Sequence, residues 1–161
     1  MKKLLLLLIP VFLACLSACA SPEPASEWYV YFPVKSYLDG AALSGQPLAV
    51  TDSEPTIEEL IDRLLEGPTD PNLYSPIPAN VSLRSWSLKD GLLYLNLSEQ
   101  YGGLSGIQLT LADYSFVYTL CQLEDVEGVL LTVANDPMSF RHHQVLTVDD
   151  ALVADTPAEK D

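Results

Sequence analysis

The stretch LRSWSLKDGLLYLNL, residues 83–97, contains two strand-like runs on either side of Asp90-Gly91. Asp-Gly between apolar strands is a strong short-range signal for a β-hairpin, and its glycine takes a positive φ. Side chains alternate between the two faces of a strand, so one face of the second run should carry three leucines, Leu93, Leu95 and Leu97. The stretch therefore predicts a hairpin that places Leu95 in the core.

The residues before the hairpin predict a helix and a connector. Thr56 and Glu59 have the spacing of a capping box. Helical spacing gathers the apolar side chains into one stripe, made of Ile57, Leu60, Ile61, Leu64 and Leu65. Gly67 can take the left-handed conformation of a helix C-terminus, and Pro68 cannot continue the helix. The Pro-rich residues up to Asn80 contain no Cys, His or Lys, so they predict a structured connector rather than an active-site loop.

A second helix is predicted from about Thr110 to Leu123, with Thr110 as its N-cap. Its apolar stripe consists of Leu109, Ala112, Phe116, Leu120 and Leu123. An alternating strand should follow through Val129, Leu131 and Val133 to a turn at Asp136-Pro137.

The predicted folded region begins with Trp28 to Phe32, a run of bulky strand-forming residues. The predicted order is therefore strand, helix, hairpin, helix, strand. This order suits an α+β fold in which a small mixed or antiparallel sheet carries two helices on one face.

The N-terminus predicts export and lipid anchoring. Two lysines follow Met1, and an apolar run from Leu4 to Leu13 completes the pattern of a secretory signal. Leu16-Ser17-Ala18-Cys19 resembles the lipobox of bacterial lipoproteins, in which the cysteine is lipidated and becomes the new N-terminus. The alternative is an ordinary signal peptide with a chance cysteine. The lipobox predicts that Cys19 holds the chain at the outer face of the bacterial cytoplasmic membrane.

These features divide the chain into a signal peptide at 1–18, a lipidated N-terminus and tether at 19–27, a folded domain at 28–150 and a polar tail at 151–161. The formal net charge is −14, and the acidic residues are spread along the whole chain. Because phosphate binding requires basic patches, nucleic acid is not an expected partner.

No catalytic, cofactor or metal site is predicted, because no Ser/His/Asp, Cys/His or metal-ligand spacing stands out. Cys121 lies in an apolar helical pattern and is expected to be a core residue rather than a nucleophile. His142-His143 could bind a metal with Asp149 or Asp150, but no third spaced His or Cys follows. The sequence therefore predicts a protein that is not an enzyme.

Three segments carry a resemblance to a known family: RLLEGPTD, SPIPANVSLRSWSLKDGLLYLNLSEQY and LADYSFVYTLCQLEDVEGVLLTVAND. In this order they resemble the GerMN domain of spore-formation and germination lipoproteins of Gram-positive bacteria. The resemblance extends from about Trp28 to Asn135. It implies an extracytoplasmic domain whose fold is similar to the ring-building motifs of secretion-system platforms, working by assembly. The spore protein that gives the family its name has a tandem pair of these domains, whereas this chain has one.

Two functions agree with these features of the sequence. The first is a non-enzymatic scaffold or interaction domain, attached to the bilayer through Cys19, that binds another envelope protein or assembles with itself. The alternative is a ligand-binding lipoprotein in which Trp28, Trp86 and the tyrosines line a groove for cell-wall glycan or peptide.

Overall fold

The structure, a computed structural model, describes residues 28–36, 42–48, 54–137, 145–150 and 154–155. Besides two short 3-10 helices, Glu99–Gly103 and Val148–Asp150, two α-helices and seven strands are found there: β1 (Tyr29–Pro33), β2 (Leu43–Pro47), α1 (Ile57–Glu66), β3 (Leu83–Lys89), β4 (Leu92–Leu97), α2 (Gly106–Leu120), β5 (Gly128–Val133), β6 (Asp136–Pro137) and β7 (Ala154–Asp155). In this part of the chain, no helix combines the length and the apolar character that crossing a membrane requires. The α+β class predicted from the sequence is confirmed.

The strands form two small sheets, with the orders β1-β2-β7 and β3-β4-β5-β6. In the first sheet β1 and β2 are antiparallel, and β7 joins β2 in parallel. In the second sheet the β3–β4 hairpin is extended by β5, which lies parallel to β4, and then by the antiparallel β6. Helix α2 contacts β1, β5 and α1, so it joins the two sheets around one core.

The hairpin forms as predicted. Asp90 and Gly91 have φ values of 51° and 77°, the pair of positive values that a two-residue turn of type I′ requires. The three alternating leucines of β4, Leu93, Leu95 and Leu97, are fully buried. The turn and the alternation together fix the register in which Leu95 lies opposite Trp86.

Helix α1 begins with the predicted capping box. The hydroxyl of Thr56 accepts a hydrogen bond from the Glu59 amide at 3.2 Å, and the Glu59 carboxylate accepts one from the Thr56 amide at 2.8 Å. Gly67 ends the helix with a positive φ of 87°, but its ψ of 172° is extended rather than left-handed helical. Only glycine adopts this backbone region readily, and it directs the chain straight into the connector.

The connector contributes to the core and pairs with the backbone at the end of β1. The Lys35 amide donates to the Asn72 carbonyl at 2.9 Å, and the Tyr74 amide donates to the Pro33 carbonyl at 3.0 Å. Between these bonds Leu73 is buried. The prediction of a structured connector is confirmed by this pairing.

The predicted bounds of α2 were wrong at both ends. The helix begins after Ser105, and Thr110 lies one turn inside it, where its hydroxyl donates to the Gly106 carbonyl at 3.2 Å. A threonine inside a helix can satisfy its hydroxyl in this way, so its presence did not mark the N-cap. The helix ends at Leu120, and Leu123 lies in the turn that follows. All five residues of the predicted stripe are nevertheless buried.

The turn predicted at Asp136-Pro137 was also wrong. The chain turns at Ala134 and Asn135, with φ values of 51° and 71°, and Asp136-Pro137 returns along β5 as β6. The side chain of Asn96 holds this turn, since its oxygen accepts a hydrogen bond from the Asn135 amide at 2.8 Å. Proline is tolerated in β6 because this strand is at the edge of its sheet.

Candidate interaction surface

The residues singled out for chemistry do not converge on one site. Cys19, His142 and His143 lie outside the described residues. Asp149 is exposed beside Tyr118, where burial first and then the Asp149 charge raise the pKa of the tyrosine. Within the described ranges, no group of three His, Cys, Asp or Glu side chains could hold a metal ion.

Three carboxylates in the domain have separate structural contacts. Asp70 accepts a hydrogen bond from the Asn72 amide at 2.7 Å and shapes the turn of the connector. Glu99 forms an exposed ion pair with Arg84 at 3.7 Å. Asp113, which is 3 % exposed, accepts a hydrogen bond from the Tyr101 hydroxyl at 2.7 Å. Each carboxylate therefore has a local contact of its own, and none of these contacts links one of the three to another.

The thiol of Cys121 is half-buried and packs against the core, in keeping with the prediction. Burial raises its pKa to about 11. The thiolate is the nucleophilic form of cysteine. Near neutral pH this side chain is therefore protonated and unsuited to nucleophilic attack.

Three of the aromatic residues, Trp86, Tyr31 and Tyr101, are used in packing at separate places. The Trp86 indole packs against the core and donates a hydrogen bond to the Glu58 carboxylate at 2.8 Å. Tyr31 is 6 % exposed, and its ring centroid lies 5.3 Å from that of Tyr118. Tyr101 is fully buried. Trp86, Tyr31 and Tyr101 therefore belong to three different packing contacts rather than to one exposed groove.

The outer edge of β1 is closed by side chains of α2 and the turn after it. The side-chain oxygen of Gln122 accepts a hydrogen bond from the backbone amide of Tyr29 at 3.0 Å, and the side-chain nitrogen of Gln122 donates one to the Tyr29 carbonyl at 2.7 Å. A neighbouring strand would make the same pair of bonds. The Thr119 hydroxyl accepts a bond from the Tyr31 amide at 3.0 Å. The connector covers the end of the same edge at Val34 and Leu73. This edge cannot add another strand without losing these bonds.

This role of Thr119 and Gln122 was not predicted from the sequence. Both are polar residues in the largely apolar segment that the sequence predicts as the second helix, and they are spaced three residues apart. Residues at this spacing lie on the same side of a helix. The spacing of these two polar residues was the feature of the sequence that could have indicated a shared role.

The edge of the second sheet at β3 has no such cover in the described part of the chain. β3 has seven residues and is the terminal strand of its sheet, whereas β6 and β7, at the ends of the two sheets, have two residues each. An unpaired strand edge presents backbone donors and acceptors to another chain. The β3 edge, defined here as the outer side of residues 85–89, is therefore the candidate interaction surface.

The register identifies the backbone groups that point outward from β3. The residues next to a two-residue turn, Lys89 and Leu92, form a hydrogen-bonded pair, and hydrogen-bonded and other pairs then alternate along the ladder. Two bonds agree with this assignment, from the Ser98 amide to the Ser82 carbonyl and from the Ala134 amide to the Leu97 carbonyl. The amide and carbonyl groups of Trp86 and Leu88 therefore face away from β4.

The side chains of β3 leave this edge accessible. Ser85, Ser87 and Lys89 are exposed on the face that is turned away from the core, while Trp86 and Leu88 are half-buried on the other face. β3 contains two cations and no acidic residue, in a chain with a net charge of −14. A β-bulge between Leu83 and Ser85 interrupts the ladder at the start of the strand. The regular part of the edge therefore runs from Ser85 to Lys89.

A family profile described as "Germane: Sporulation and spore germination" matches residues 29–139. The chain belongs to this family. The match covers the Germane domain from the first strand to just beyond β6, and its description names sporulation and germination without naming a reaction. No curated protein matches the chain.

Solved structures similar to the Germane domain include three that agree in fold. The tandem GerMN domains of the sporulation protein GerM from Bacillus subtilis match with a TM-score of 0.54 and 22 % identity, over 69 % of this chain and 39 % of that one. The first GerMN domain of the same protein matches with a TM-score of 0.54 and 17 % identity, over 78 % of this chain and 94 % of that one. The chain thus spans about two-fifths of the tandem pair.

A candidate lipoprotein from Clostridium perfringens matches with a TM-score of 0.51 and 20 % identity, over 76 % of this chain and 87 % of that one. At these identities the likeness concerns the fold. It agrees with the GerMN resemblance that the sequence carries.

Proposed function

We propose that the chain is a lipoprotein anchored through Cys19 at the outer face of the bacterial cytoplasmic membrane. Its Germane domain works there as a non-enzymatic scaffold that binds another protein of the cell envelope or assembles with itself. The process it serves is sporulation or germination.

The family and the N-terminus support the anchor and the process. The family is described by sporulation and spore germination, and GerM is a sporulation protein. The similar Clostridium perfringens protein is a candidate lipoprotein. The segment Leu16-Ser17-Ala18-Cys19 provides the lipobox pattern in this chain. Two acyl chains hold a protein stably on a bilayer, whereas one gives marginal binding.

The observation that carries the scaffold role is the β3 edge. The edge of β1 is closed by Gln122 and Thr119, but no described residue pairs with the outer side of β3. An edge of this length is a template on which another chain can add a strand. The main-chain bonds of such an added strand provide affinity, and the side chains beside them provide specificity.

The contacts of the polar residues also favour binding over catalysis. Asp113 is tied to Tyr101 inside the core, and Asp70 and Glu99 are engaged in a turn and an ion pair. General acid–base catalysis requires a carboxyl placed within reach of a substrate proton. These three carboxyls serve the fold instead.

The proposal predicts that the half-buried carboxylate of Asp70 and the exposed carboxylate of Glu99 can each be neutralised without loss of function. In a strain that lacks the chain, the full chain carrying Asp70→Asn or Glu99→Gln should restore the formation and germination of spores as well as the parent chain does. These two positions suit the test better than Asp113, whose replacement would disturb the core. The measurement is the fraction of cells that form spores and the fraction of spores that germinate.

The purified full chain should not hydrolyse peptidoglycan or ester substrates in parallel assays. Turnover that either substitution abolishes, together with loss of function in the cell at normal protein level, would reject the scaffold and assign an enzyme. The parent chain measured at the same concentration is the control.

A further inference from the structure

We infer that the β3 edge pairs with the β3 edge of a second copy of this chain, antiparallel, with Ser87 on the twofold axis. This inference rests on the proposed function and names both the surface and its occupant. It joins the two four-stranded sheets edge to edge into one sheet of eight strands.

The backbone of β3 selects this register. The outward-facing amide and carbonyl groups belong to Trp86 and Leu88, so a hydrogen-bonded partner strand must meet these two residues. An axis through Ser87 places Trp86 opposite Leu88 of the second copy and Leu88 opposite its Trp86. Each of these two pairs exchanges two bonds, which gives four intermolecular backbone hydrogen bonds.

The neighbouring registers require residues outside the regular part of the β3 edge. An axis through Trp86 requires Arg84, which lies at the β-bulge where the ladder is interrupted. An axis through Leu88 places Trp86 opposite Asp90, which is part of the hairpin turn and has a φ of 51°. The Ser87 register is the one that uses only residues in the regular part of the strand.

The side chains fit the same register on both faces. On the core side, the half-buried Trp86 meets the half-buried Leu88 of the second copy, an aromatic–aliphatic pair that stabilises antiparallel strands. On the outer side, Ser87 meets Ser87, and Lys89 meets Ser85 of the second copy. No like charges face each other across the joint, although the strand carries Arg84 and Lys89.

The ends of the two paired β3 strands also carry complementary charges. With Ser87 on the axis, Arg84 lies opposite Asp90 of the second copy, so each end of the paired strands brings a cation near an anion. Two whole chains repel each other because each has a net charge of −14. The local cations of β3 reduce this repulsion at the joint, and attachment of both copies to one membrane would favour their encounter.

Disulfide trapping tests the register directly. Ser87 and its symmetry mate form a pair without backbone bonds, whose Cα atoms lie about 4.5 Å apart. A disulfide accepts Cα separations of about 4.4 to 6.8 Å. The full chain carrying Ser87→Cys, produced in cells at its natural level and mildly oxidised, should therefore give a covalent dimer on a non-reducing gel.

Ser85→Cys is the matched control. It is exposed on the same face of the same strand, but in this register it meets Lys89 rather than its own mate. The parent chain controls for its native cysteines, among which Cys121 is half-buried with a pKa raised to about 11. Dimer from Ser87→Cys with little from Ser85→Cys supports the inference. Equal yields from the two variants, or no dimer from either, overturn it.

A charge substitution gives a second test that does not depend on oxidation. Ser87→Glu places two negative charges together on the axis, whereas Ser85→Glu places each new charge opposite Lys89 of the other copy. Ser87→Glu adds one like-charge pair and should lower the association constant by about 1.4- to 5-fold. Ser85→Glu adds two opposite-charge pairs and should raise the association constant by about 2- to 30-fold. Sedimentation of the detergent-solubilised full chain should show weaker dimerisation with Ser87→Glu and stronger dimerisation with Ser85→Glu.

Equal changes in the association constant for the two glutamate variants would reject the register. Both variants add the same net charge, two residues apart, so only the register makes their effects differ. A monomer at all concentrations would reject the second copy as the occupant. If Ser87→Cys instead forms a disulfide with a different envelope protein, the self-pairing fails while the proposed scaffold function stands.

Discussion

Replacing Leu95 by alanine is expected to lower the free energy of unfolding by about 2 to 5 kcal/mol, the range for large-to-small changes in a core. Leu95 is fully buried in β4, between Trp86 on β3 and Leu131 on β5. The substitution leaves a cavity at the centre of the second sheet, where neighbouring backbone is held by hydrogen bonds on both sides. Denaturant titration of the full chain, followed by fluorescence of its tryptophans, gives the measurement.

Tyr94→Ala is the matched control for Leu95→Ala. Tyr94 is the preceding residue of the same strand, but it faces outward and is 37 % exposed. Its replacement should cost less stability, since less of its surface is removed from water in the fold. Equal losses for the two variants, or a loss near zero for Leu95→Ala, would mean that the faces of β4 are assigned incorrectly.

Replacing Cys19 by alanine should remove the lipid from the mature protein and release the domain from the membrane. The thiol of Cys19 is the proposed site of the thioether to diacylglycerol, and alanine cannot form this bond. The two acyl chains and the membrane attachment depend on that residue. Membrane fractionation together with the mass of the mature N-terminal peptide measures the outcome.

Cys15→Ala provides the control for the anchor. Cys15 lies four residues before Cys19, inside the predicted signal peptide, and should be removed with it. Its variant should therefore remain lipidated and membrane-bound. A parent chain whose mature N-terminal peptide has no acyl mass would show that the lipobox assignment is wrong.

Local signals in the sequence were sufficient to place the hairpin, α1 and the connector. A two-residue turn with Asp90-Gly91 and a capping box at Thr56 and Glu59 depend on residues close together in the chain. Such features follow from local backbone preferences, and the structure confirms them. The buried stripe of α2 was also predicted, although its ends were not, because Ile107 and Gln108 begin the helix on its exposed side.

Strand β2 was missed because its sequence, LSGQP, looks like a turn. Gly45 pairs with Tyr31 and lies beneath the side chain of Tyr29, where an added Cβ would come within 3.1 Å of the Tyr29 Cβ. Glycine in a strand marks such a close approach. The reason for Gly45 is thus a tertiary contact with β1, which no local pattern in the sequence displays.

The division of the strands into two sheets and the open edge at β3 could not be predicted either. Both depend on which strands become neighbours, and β4 and β5 pair in parallel although α2 lies between them in the chain. The closure of the β1 edge depends on Gln122, 93 residues away from Tyr29. The sequence could show that a small sheet has edges, but not which edge remains open.

In the proposed function the domain works by protein contact at the β3 edge. A photo-cross-linking amino acid placed at Ser87 of the full chain, in living cells at natural protein level, tests it most directly. The matched position is Gln108, which is exposed in the first turn of α2, outside the sheet that contains β3. Illumination should yield a protein adduct from position 87, with a second copy or another envelope protein, and none from position 108. The absence of any protein adduct at position 87, with the chain at its normal level in the membrane, would show that the domain does not work by protein contact at the β3 edge.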